Sequence, residues 1–188
     1  MEAIWQSLLV VAITEMGDKT QLLALVLAAK FKQPWTVMAG ILVATVLNHL
    51  LASTIGVWLT TVVSADVLRW VLALGFILFA LWVLKPDKDE DLKNPDRFGA
   101  FVTTLVAFFI AEMGDKTQLS TVAMAAKYQS VALVTVGTTM GMLISDGLAV
   151  AFGEGLTKRI PMKVIRWVAA LMFVAMGVGV FYGPMALN

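Results

Sequence analysis

The string Glu-Met-Gly-Asp-Lys-Thr-Gln occurs twice, at 15–21 and at 112–118, each time inside a long apolar run. Glu15 and Glu112 stand 97 positions apart, and the same offset aligns what surrounds them. AITEMGDKTQLLALVLAAKF (12–31) matches FIAEMGDKTQLSTVAMAAKY (109–128); Gly40 falls on Gly137, Gly56 on Gly153, and Arg69-Trp70 on Arg166-Trp167. A register kept without a gap over roughly 80 residues marks an internal duplication. Whatever this chain folds into must be built from two like halves.

The solvent of those halves follows from composition. Of 188 residues, 60% are hydrophobic and 14% charged, with mean hydropathy +0.86. Soluble domains carry about 25% charged residues, and a chain this short cannot bury so much apolar surface in its own core. Lipid must cover it. A membrane helix needs about 20 mostly apolar residues, and six segments qualify, at roughly 3–29, 35–61, 66–84, 99–125, 131–156 and 162–183. The expected fold is therefore an all-α membrane protein: a first three-helix repeat at 1–84, a charged linker at 85–98, and a second repeat at 99–188. The linker has two prolines and alternating charges, and reads as solvated. Three crossings per repeat make the second half enter from the opposite face, an inverted-topology pair.

Lys and Arg in the loops set the orientation. One face receives Lys30, Lys32, Lys85, Lys88, Lys93, Arg97, Lys158, Arg159, Lys163 and Arg166; the other receives Arg69 and Lys127. The basic face is expected to be cytoplasmic, with the linker, leaving both termini outside. The N-terminal stretch lacks the basic region of a signal peptide, so the first segment is expected to be retained.

Each motif places acids near the middle of an apolar segment. A charge at the bilayer centre costs about 2.5–3.5 kcal/mol, so Glu15, Asp18, Glu112 and Asp115 with Lys19 and Lys116 need compensation. On continuous helices, Glu15/Asp18 and Glu112/Asp115, three apart, would each share one face. Four negative and two positive charges leave two negative, which matches one divalent cation or the protons that replace it. A plainer reading pairs Glu15 with Lys19 and Glu112 with Lys116 as insertion aids, but it leaves both aspartates without a role. Thr20, Thr117, Gln21 and Gln118 are further oxygen donors, with the glutamines nearer the acidic face on a regular helix. Gly17 and Gly114 either open the helix, freeing carbonyls, or let helices pack closely.

The second helix of each half carries a small residue every fourth position: Gly40, Ala44, Asn48, Ala52, Gly56 and Gly137, Gly141, Ser145, Ala149, Gly153. Such ladders bring helices close. Asn48, His49 and Asp146 are polar at mid-ladder and are candidates for a proton path, Asp146 also for a fifth ligand. Glu154 lies near the end of the fifth helix. Oxygen donors select a hard cation such as Mg²⁺, Ca²⁺ or Mn²⁺. There is no Cys, which excludes thiolate sites and disulfides, and no P-loop, HExxH or nucleophile constellation speaks for an enzyme. A net charge of +1 without a basic cluster gives no footing for nucleic acid.

EMGDKT at 15–20 and at 112–117 resembles the duplicated Glu-x-Gly-Asp-Lys/Arg-Thr/Ser motif of the cation/proton exchanger family that contains the Golgi calcium- and manganese-transporting proteins and bacterial manganese exporters. The resemblance spans essentially the whole chain. It implies a secondary transporter of a bacterial inner membrane that exports Mn²⁺, with Ca²⁺ the other ion of the family, in exchange for protons, and it implies Glu15, Asp18, Glu112 and Asp115 as ligands. No bound cofactor is expected; the ion and protons are substrates, and the bilayer is the main partner, with room for a homo-oligomer. A passive divalent-cation channel and a non-transporting scaffold subunit are the rival readings.

Overall fold

The computed structural model describes residues 1–16, 18–84, 99–152 and 162–182. Gly17, the linker 85–98, Gly153 and Glu154 lie outside the described residues. Eight helices are described: α1 (Glu2–Thr14), α2 (Lys19–Phe31), α3 (Pro34–Val62), α4 (Ala65–Val83), α5 (Gly99–Glu112), α6 (Lys116–Tyr128), α7 (Val131–Phe152) and α8 (Met162–Tyr182). The fold is all-α. α3 and α7 alone among the described helices combine the length and apolarity of a membrane span.

The first segment of each half is split at the motif. Gly114 has φ +75°, a left-handed conformation that only glycine adopts at little cost. Around it the ladder tightens to three-residue steps: Met113 N–H donates to Ile110 O and Asp115 N–H to Glu112 O, both at 3.2 Å. The first half does the same, with Asp18 N–H donating to Glu15 O at 3.1 Å. Asp18 and Asp115 then take extended conformations and start α2 and α6 (ψ 173° and 167°). Each acid pair thus straddles a break, and the shared helical face expected from the three-residue spacing does not form. Of the two roles open to a motif glycine, Gly114 takes that of opening the chain.

Both repeats also turn alike. Lys32 (φ 53°) ends α2 and Gln129 (φ 49°), 97 positions later, ends α6, both left-handed. Pro34 then opens α3 from the first helical turn, where its missing N–H costs nothing.

The halves interlock. α3 runs beside α5 and then α6 of the other repeat: a methyl on Gly40 would stand 2.9 Å from Phe101 O, Asn48 Nδ2 donates to Phe109 O at 3.1 Å, and Gly56 abuts Val122 and Ala125. α7 runs the same way beside α1 and α2: Gly137 abuts Ile4 and Ser7, Gly141 abuts Leu8 and Ala12, and Ser145 meets Gln21. The small-residue ladders are what allow these backbones to approach. α4 and α8 pack together outside this centre, with the Phe76 and Phe173 rings stacked at 6.3 Å.

Polarity is turned inside out. Leu50, Leu51, Ile55, Trp58, Leu74, Leu78, Leu81 and Leu171 are exposed, whereas Glu15, Thr20, Asn48, His49, Glu112, Thr117, Ser145 and Asp146 are buried. Water-soluble chains do the reverse with their charged groups, and ionisable residues of membrane proteins face the bundle interior.

Candidate metal centre

The two breaks meet at the centre of the molecule. One carboxylate oxygen from each of Glu15, Glu112 and Asp115 lies within 4.8 Å of the others, and all three residues are buried. Oxygens on opposite sides of a Ca²⁺ ion, each about 2.3–2.6 Å from it, stand roughly 5 Å apart, so this spacing is within the span of ligands shared by one ion. The C-terminal ends of α1 and α5 arrive here with Glu15 and Glu112, and the negative end of a helix dipole favours a cation.

The acids are held unequally. Thr20 Oγ1 donates to Glu15 Oε2 at 2.6 Å, and Thr117 Oγ1, from the other repeat, donates to Glu15 Oε1. Neither carboxylate oxygen of Glu112 has a hydrogen-bond partner among the described residues. Asp18 is partly exposed and lies outside the tight trio, yet acts on Glu112 electrostatically, as do Glu15, Asp115 and Asp146. Lys19 reaches across the repeat boundary to Asp115, 3.8 Å away, rather than serving only its own helix. Lys116 is buried and acts on Glu15.

The hydroxyl and amide donors take different partners. The threonines reach Glu15, while Gln21 Nε2 donates to Ser145 O at 2.9 Å and Gln118 Oε1 accepts from Gly114 N–H at 2.7 Å. The glutamines therefore brace the site's walls. The break rotates α2 and α6 out of the register of α1 and α5, and the motif glycine was the only signal for it. Asn48 spends its amide on Phe109 O, and neither ring nitrogen of the buried His49 has a hydrogen-bond partner among the described residues.

Comparison with known proteins gives this geometry its family. The model of the divalent cation/proton antiporter GDT1 matches twice, over residues 3–91 and 100–187. The chain belongs to this antiporter family. A Vibrio cholerae protein named "Putative manganese exporter" is 41% identical over 177 residues, covering 94% of this chain and 88% of that one. GDT1-like protein sll0615 of Synechocystis is 26% identical, covering 92% and 93%, and GDT1-like protein 3 of Arabidopsis thaliana is 24% identical, covering 97% and 71%. No solved structure matches. The family description is of a transporter, which sets aside the channel and scaffold readings. For a GDT1-family chain the double match agrees with the internal duplication, since the family pattern covers each half once.

Proposed function

We propose that this antiporter exports Mn²⁺ from the cytoplasm across a bacterial inner membrane in exchange for protons. One observation carries the site: three buried carboxylates, drawn from both repeats, converge within 4.8 Å, and one of them, Glu112, has no hydrogen-bond partner among the described residues. Such a group of charges is stable inside a membrane only when a cation or protons neutralise it. Ion and protons therefore compete for one place, which is the minimum that exchange requires. Glu15, Glu112 and Asp115 are the first ligands, Asp18 lies at the rim, and Thr20 and Thr117 fix the orientation of Glu15. Lys19 and Lys116 limit the excess negative charge. Mn²⁺ over Ca²⁺ rests on the name of the Vibrio cholerae relative and on the oxygen donors, which suit both ions.

Six spans in two inverted repeats fit the packing. α3 follows α2 through a two-residue turn and so returns across the membrane, and it runs parallel to α5 and α6. α5 and α6 must then oppose α1 and α2. In line with this, Lys127 and Tyr128 at the end of α6 sit beside Gln6 near the start of α1. The excess of Lys and Arg on one face supports a cytoplasmic linker with both termini outside. Protons arriving from outside neutralise the acids and release the ion there; rocking of one repeat against the other exposes the site to each side in turn.

Vesicles loaded with Mn²⁺ and given a pH gradient test this. Glu15→Gln and Asp115→Asn should abolish coupled Mn²⁺ and proton movement; full exchange in either variant would overturn the assignment.

A further inference from the structure

We infer that Asp146 is a further carboxylate of the cation site, one that the duplicated motif does not supply, and that it acts on the bound ion from α7. This rests on the site proposed above. Asp146 is fully buried, and neither of its oxygens has a hydrogen-bond partner among the described residues. Its charge acts on Glu112 and that of Glu15 acts on it, one acid from each motif. Its neighbour Ser145 is tied by backbone carbonyl and hydroxyl to Gln21, on the helix that the first motif opens, which fixes this part of α7 against the site.

A buried carboxylate without hydrogen bonds is among the costliest groups a protein can hold. Here its charge is set against those of Glu15 and Glu112, so it contributes nothing to the fold of the empty protein. Its contribution comes when a cation sits among the acids. Asp146 stands outside the trio that shares 4.8 Å, so its reach to the ion is by charge and through ion-bound water, as Mn²⁺-like hard ions retain water in protein sites. The position 97 residues earlier is His49, so the first repeat has no equivalent acid there. The site is two-fold in its motifs and one-sided in this residue.

The experiment measures Mn²⁺ binding to the purified full-length protein by equilibrium dialysis, and thermal unfolding with EDTA and with Mn²⁺. Asp146→Asn should weaken binding about tenfold or more, the usual loss when a partner behind a metal's ligands is removed. Asp146→Glu, which keeps the charge, should stay within a few-fold of the parent. With EDTA, Asp146→Asn should melt no lower than the parent, and its stabilisation by Mn²⁺ should shrink. Asp66→Asn, at the exposed start of α4, controls for loss of a surface charge. Parent-like Mn²⁺ binding in Asp146→Asn alongside lost binding in Glu15→Gln would overturn the role of Asp146 alone. Parent-like binding in Glu15→Gln would overturn the site itself.

Discussion

The two motif copies are identical in sequence and unlike in place. Glu15 receives both threonine hydroxyls, one from each repeat, while Glu112 has no hydrogen-bond partner among the described residues. Asn48-His49 on α3 occupies the positions that Ser145-Asp146 holds on α7. At one end of the molecule Tyr128 donates to Gln6, which donates to Glu2 at 2.9 Å; the counterpart of Tyr128 is Phe31, which has no hydroxyl. A duplicated sequence therefore does not yield two equal half-sites. One acid is pinned by hydroxyls and the other has none, so in the proposed site the two ligands would meet an ion from unequal starting points.

Charge removal breaks the comparison most severely. Glu15→Gln and Glu112→Gln should each lower Mn²⁺/H⁺ exchange at least about a hundredfold, the upper range for disturbing a metal site. Their stabilities should diverge. Glu112→Gln removes a buried charge without hydrogen bonds and should melt no lower than the parent with EDTA, whereas Glu15→Gln weakens two hydroxyl contacts and should melt lower. Equal melting shifts would mean that the two acids are held alike.

Packing gives the next effect. Gly40 and Gly137 are counterparts, but a methyl on Gly137 would stand 2.5 Å from Ile4 O, against 2.8 Å from Thr104 Cβ on Gly40. Gly137→Ala should cost about 3 kcal/mol, the upper end for overpacking, and Gly40→Ala less, both read from detergent unfolding. Gly179, with nothing within 4 Å, should accept Ala with no loss.

Smaller still is the hydroxyl pair. Thr117→Val should cost about 2 kcal/mol, as for hydrogen bonds to charged groups. A double-mutant cycle sharpens it: once Glu15→Gln is in place, the same substitution should cost far less. Additive losses would detach Thr117 from Glu15. Tyr128→Phe, which copies Phe31 into the second repeat, should cost about 1 kcal/mol, a typical neutral hydrogen bond. A zero effect would make the two ends equivalent.

Much of this was readable in advance because lipid imposes simple rules. Apolar runs near 20 residues and a 97-residue register define the elements, and expensive charges at mid-segment mark a site. The threonines illustrate where that reading stops. Counting along a regular helix puts Gln21 and Gln118 nearer the acids than the threonines, and yet across the break it is the Thr20 and Thr117 hydroxyls that reach Glu15. Periodicity describes a helix only while it continues, and a glycine can either continue it or end it. Lys19 likewise pairs by position with Glu15, yet it reaches Asp115.

By itself, then, the sequence determined the duplication, the all-helical class, the apolar exterior and the identities of the acids and lysines at the centre, since each follows from composition or spacing along one chain. Only the tertiary structure decided which acids share a space, which hydroxyls hold Glu15, and that Asp146 is buried without a hydrogen-bond partner among the described residues. Those are distances across the helix breaks, within and between the repeats, and they depend on how α3 and α7 seat against the broken helices, a matter of three-dimensional packing that no single-chain periodicity encodes.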